Sequence, residues 1–83
     1  MAKLLLFASV REKVGMDTLD VNVEKPMELS LFLLSASRQA SIRPSFLQNP
    51  YLLYCINGEM AGLNSTVCNM DEVAVMPPLS GGV

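Results

Sequence analysis

The chain contains no histidine and no tryptophan, and only two cysteines among its 83 residues. Without histidine there is no side chain whose ordinary titration falls near neutrality. Ser80 has no recognisable base nearby in sequence, so a nucleophile–base pair contained within the chain is not expected. Cys55 and Cys68 stand thirteen positions apart, a spacing compatible with a disulfide, a metal half-site or two separate thiols. Zinc would need carboxylates or a second chain to complete its ligand set, so no metal is expected. The plainest expectation is two reduced, space-filling thiols.

Charge is also sparse. Charged residues make up 17% of the chain, the formal net charge is −2, and Lys3, Arg11, Lys13, Lys25, Arg38 and Arg43 are dispersed. That distribution excludes the basic stripe a nucleic-acid partner requires. The longest apolar runs, Leu4 to Ala8 and Leu31 to Leu34, fall far short of the roughly 20 residues that span a bilayer. The run behind Met1 is likewise too short for a signal-peptide core. The expectation is a cytoplasmic protein with no membrane partner.

What is present is an apolar fraction of 51%, enough for one compact domain and no second one. Lys3 to Val10 reads as a strand, Val14-Gly15-Met16-Asp17 as a turn, and Thr18 to Glu24 as the returning strand, with Leu19, Val21 and Val23 on one face. Past Pro26 the period changes. Leu29, Phe32, Leu33, Ala36 and Ala40 recur at helical spacing, which predicts an amphipathic helix over 28–41 with Ser30, Ser35, Ser37, Arg38 and Gln39 mostly on its wet side. Its start is poorly marked, because neither Met27 nor its neighbours make a good N-cap. Pro44 stops it. Ser45 to Pro50 is a connector, Tyr51 to Ile56 a strand, Asn57-Gly58 a tight turn, Glu59 to Gly62 a short segment, and Asp71 to Met76 the last strand. One helix with four to five short strands buries itself most simply across one face of a single mixed sheet. The expected fold is therefore α+β, the ubiquitin-like β-grasp, with a domain over 1–76 and a flexible tail over 77–83.

That tail, Pro77-Pro78-Leu79-Ser80-Gly81-Gly82-Val83, carries no pattern of its own. Two prolines favour an extended exit from the sheet. Two glycines then remove every β-carbon, so the tip fits a channel too narrow for other residues. An unhindered glycine carboxylate can attack the α-phosphate of ATP, and a sulfur nucleophile can displace the acyl-adenylate to leave a thiocarboxylate. A frayed terminus would also be glycine-rich.

Nearly the whole chain resembles the molybdopterin synthase small-subunit family. The resemblance is carried by Leu4 to Gly15, by Ile56-Asn57-Gly58-Glu59, and by Asp71-Glu72-Val73-Ala74-Val75-Met76-Pro77-Pro78-Leu79-Ser80-Gly81-Gly82. It implies a β-grasp sulfur carrier whose Gly82 is adenylylated by an E1-like enzyme. The thiocarboxylate so formed supplies sulfur to a pterin precursor in the large synthase subunit, two carriers serving one heterotetramer. No cofactor is implied as a resident of the chain; ATP is used by the activating enzyme. The implied partner surface is Phe7, Met60 and Met76 beside Pro77, Pro78, Leu79, Ser80 and Gly81. The residues alone leave open that Met60 and Met76 merely close the core. Arg11 and Glu12 fall in the turn after the first strand, where charge usually keeps a loop wet, and Tyr51 and Tyr54 are expected to pack the sheet.

One departure from the family pattern is Val83, since a peptide bond at Gly82 hides the carboxylate that must be activated. Three other functions fit parts of the sequence: a carrier for thiamine or tRNA thiolation, whose tails usually lack the two prolines; a ubiquitin-like modifier joined through Gly82; and a plain interaction module.

Overall fold

A computed structural model describes residues 1–78 of the chain. Strand β1 (Ala2–Leu6) is followed by a short helix α1 (Ala8–Val14) and by β2 (Thr18–Val21). Strands β1 and β2 are antiparallel, as a hairpin requires, but the first strand ends four residues before the expected Val10. The residues after Phe7 form a helix instead because Val10, one turn before Val14, is buried against the core. Gly15, at φ +85, closes α1 by donating its N–H to the Arg11 carbonyl at 2.8 Å, a left-handed cap that only glycine adopts without cost. Arg11 and Glu12 accordingly lie on α1 rather than in a turn.

Strand β3 (Met27–Glu28) leads directly into α2 (Leu29–Ala40). Leu29, Phe32, Leu33 and Ala36 are buried, in agreement with the helical period. Ser37, expected on the wet side, is buried as well, and its hydroxyl is satisfied by donation to the Leu34 carbonyl at 2.8 Å. No side chain caps the N-terminus of this helix. The Leu29 and Ser30 N–H groups instead donate to the carbonyls of Ser65 (2.7 Å) and Leu63 (3.0 Å). A distant loop thus satisfies donors that a local cap usually takes, so the helix start is weakly marked in sequence. The helix ends at Ser41, in the left-handed region at φ 59, and Pro44 opens a 3-10 turn, Pro44–Phe46.

Strands β4 (Leu53–Ile56), β5 (Glu59–Ala61), β6 (Thr66–Val67) and β7 (Glu72–Met76) complete the chain. Five strands form one sheet in the order β2-β1-β7-β4-β5, while β3 and β6 pair separately. First and last strands run parallel at its centre and all other pairs are antiparallel. Leu4, Leu6, Val73, Val75 and Tyr54 point from the sheet into the core, where Phe32, Leu29 and Leu33 of α2 meet them. This is the expected β-grasp arrangement of a mixed sheet with its main helix across one face. The other face of the sheet is left uncovered by either helix.

Candidate functional site

The pleat sends alternate residues to that open face. In β1 the exposure alternates from buried Ala2, Leu4 and Leu6 to accessible Lys3 and Leu5, and in β7 from buried Val73 and Val75 to accessible Glu72, Ala74 and Met76. The register then assembles rows across the sheet. Asp20, Lys3 and Glu72 are successive partners and form a charged row at the start of β7. Thr18, Leu5, Ala74, Cys55 and Met60 form the next row, four of its five members apolar. Leu53 and Met76 pair in the row beyond it, at the end from which the chain leaves the sheet.

At that end Phe7, Ala8, Met76, Pro77 and Pro78 line a concavity of about 390 Å³. The Phe7 N–H donates to the Val75 carbonyl at 3.2 Å and carries the β1–β7 pairing one residue past the strand. Phe7 is 44% exposed and Met60 67% exposed; neither closes the core. Phe7 and Met76 share the concavity with Pro77 and Pro78, whereas Met60 lies outside it, two strands away across Leu53 and Cys55. The sequence reading missed Leu53 and Cys55 as members of this face. Their period-two spacing was visible, but only the β4–β7 register shows which side they occupy. Leu79, Ser80, Gly81 and Gly82 lie outside the described residues.

Cys55 is half-buried, with its Sγ 3.7 Å from the Met60 Sδ, and Cys68 is exposed. Cys68 therefore does not fill space in the core as expected; it lies in the turn after β6, where its N–H donates to Asp71 Oδ2 at 2.8 Å. Of the tyrosines only Tyr54 packs into the fold, while Tyr51 is 77% exposed ahead of β4. Among the described residues no group of three His, Cys, Asp or Glu side chains is placed to hold a metal. The geometry offers an apolar face, rimmed by charge at one end and continuous at the other with the end of β7.

Comparison with known proteins gives this face a context. The profile of the ThiS family matches residues 4–82. The chain is 34% identical to the molybdopterin synthase sulfur carrier subunit of Escherichia coli strain K12, over 99% of this chain and 100% of that protein. Among solved structures it is similar to SAMP1 from Haloferax volcanii, with a TM-score of 0.79 at 25% identity and 98% of each chain covered. Mycobacterium tuberculosis CysO, at 14% identity, shares the fold with a TM-score of 0.75 over 95% of this chain and 100% of its own.

Proposed function

Because the chain belongs to the ThiS family, we propose that it is the sulfur-carrier subunit of a molybdopterin synthase. The observation that carries this reading is the 34% identity to such a subunit along essentially the whole length of both chains. Its working group is the Gly82 carboxylate, freed when Val83 is removed. An E1-like enzyme binds ATP, the carboxylate attacks the α-phosphate, and pyrophosphate leaves. A sulfur nucleophile then displaces AMP from the acyl-adenylate. The resulting thiocarboxylate donates its sulfur to a pterin precursor held by the large synthase subunit, and one water adds at the acyl carbon as the C–S bond breaks, so that the chain returns as a carboxylate.

The chain's own part is presentation. Strand β7 lies at the middle of the sheet, fixed by β1 on one side and β4 on the other, so the base from which the tail leaves is rigid. The open face, with Met60, Met76 and Phe7, docks in turn on the activating enzyme and on the large subunit, and two carriers flank the large subunits in a heterotetramer. Methionine suits a surface that must repack against two partners. Among the described residues no helix is long and apolar enough to cross a membrane, and the proposed site of action is the cytoplasm.

Intact-mass analysis tests the reading. A chain ending at Gly82, incubated with the activating enzyme, ATP and a sulfide source, is expected to gain the mass of one oxygen-to-sulfur exchange. The chain continuing to Val83 is expected to stay unmodified until a protease removes that residue. Efficient thiocarboxylate formation on a chain lacking Gly82 overturns the proposal. The likeness to a small archaeal modifier protein from Methanosarcina acetivorans, with a TM-score of 0.77, favours a second reading in which Gly82 is joined to a lysine. Covalent adducts in place of a thiocarboxylate would distinguish it.

A further inference from the structure

Asn57 and Gly58 make the two-residue turn between β4 and β5, with φ values of +52 and +84 and Ile56 paired to Glu59 as the last rung before it. Both positive angles mark the turn type that suits a hairpin. The other asparagines precede Val23, Pro50, Ser65 and Met70, so this is the only Asn-Gly step in the chain. Glycine sets no side chain beside its own nitrogen, and a β-carbon placed at Gly58 would meet nothing within 4 Å. The Gly58 nitrogen is therefore the least hindered of the five amides that follow an asparagine.

A bracket of hydrogen bonds fixes the Asn57 side chain. Its Nδ2 donates to Asp71 Oδ1 at 2.9 Å, and its Oδ1 accepts from the Glu72 N–H at 2.9 Å. Its own N–H donates to the Glu72 carbonyl at 2.8 Å. Asp71 is fixed in turn, because its second oxygen accepts from the Cys68 N–H at 2.8 Å. The bracket ties the β4–β5 turn to the first residues of β7.

We propose that Asn57 is a site of spontaneous deamidation held in check by this bracket, and that its conversion releases the β4–β5 turn from the start of β7. When both side-chain bonds open, the Gly58 nitrogen gives up its proton and bonds to Asn57 Cγ; the Cγ–Nδ2 bond breaks and ammonia leaves. The succinimide takes up one water at either carbonyl, giving aspartate or isoaspartate at 57. Water is the only co-reactant. Either product sets a negative charge against Asp71 where an amide donor stood. Isoaspartate also inserts a methylene into the main chain of the turn and displaces the rung between Ile56 and Glu59. Met60 follows on β5, and the far end of β7 leads into the tail. The proposal does not depend on the sulfur-carrier reading, because its readout is the chemistry of residue 57.

The test is timed incubation of the full chain at mildly alkaline pH in isotopically heavy water, followed by peptide mapping that separates aspartate from isoaspartate. The label is expected at residue 57, and about ten- to thirtyfold more slowly in the folded chain than in urea, the factor set by two side-chain hydrogen bonds that must open first. Asp71→Ala, checked for folding by circular dichroism, is expected to recover most of that factor. Asn57→Asp, whose carboxyl must lose water rather than ammonia to close the ring, is expected to take up label there far more slowly than the parent and to speed amide exchange at Glu72 and at Glu59, the rung next to the turn. Equal rates folded and unfolded, an unchanged rate in a folded Asp71→Ala chain, or label mainly at another asparagine would overturn the proposal. So would unaltered exchange in Asn57→Asp.

Discussion

Tyr54 is 5% exposed, and its hydroxyl donates to the Leu47 carbonyl at 2.9 Å while accepting from the Asn49 N–H at 3.3 Å. One side chain thereby satisfies two groups of the loop that follows the 3-10 turn. Tyr54→Phe keeps the ring and strands both loop groups, and it is expected to cost about 1–2 kcal/mol in chemical denaturation. Burial pushes the Tyr54 phenol above its ordinary value of 10.0, partly opposed by the Asn49 N–H, which favours the phenolate. As pH rises through that value the unfolded chain loses its proton first, so the folded state binds more protons. The stability contributed by the protonated group is complete below the ordinary value and is lost as pH climbs through the raised one. The Phe variant is expected to lack this part of the alkaline decline. At this scale the sequence was half legible. Aromatic β-propensity assigned both tyrosines to the sheet, yet it holds no information on whether the chain ahead of β4 turns away, which is what exposes Tyr51.

Among elements, α2 was legible because its helical period ran long enough to exclude a strand, and β2 because Leu19, Val21 and Val23 alternate with polar residues. Helix α1 was not. Its seven residues hold only two turns of pattern, and the apolar run ahead of them extends the appearance of a strand. The β3–β6 pair was also invisible, since two residues in each strand leave no alternation to read. What fixes α1 is its end. Gly15 has φ +85 and open space about it, so Gly15→Ala meets no clash and isolates the cost of the left-handed backbone, expected at about 1 kcal/mol in thermal denaturation. For the open sheet face, Met60→Arg tests docking most cleanly because Met60 is 67% exposed and the charge stays hydrated in the free protein. Phe7→Arg tests the concavity at the other end. Each is expected to keep the circular dichroism of the parent and to weaken association with the large subunit by tenfold or more, about 1.4 kcal/mol, in titration calorimetry. Unchanged affinity in both would place the docking surface elsewhere.

On the scale of the whole molecule, the pairing of first and last strands is what no local pattern displays. Strand β1 meets β7 in parallel with Leu4 opposite Val73 and Leu6 opposite Val75, a contact closed across most of the chain. Only the family resemblance pointed to it. Among the described residues the buried apolar set runs from Ala2 to Val75, and Phe32 sits at 0% exposure within it; the proposed chemistry falls beyond that stretch of chain. Phe32→Ala removes a large buried ring and is expected to cost about 3–5 kcal/mol. For a domain whose whole margin is of order 5–15 kcal/mol, that loss leaves a measurable unfolded fraction near physiological temperature. A chain ending at Pro78 retains every buried residue named above and is expected to match the parent midpoint in urea within about 0.5 kcal/mol. The same chain is expected to gain no sulfur with the activating enzyme, ATP and sulfide, because it has no Gly82 to activate. Denaturation curves and intact masses measured on the two variants beside the parent decide between this separation and its alternative. If the shortened chain loses as much stability as Phe32→Ala, residues 79–83 belong to the fold, and a tail free to enter a partner's active site is the wrong description.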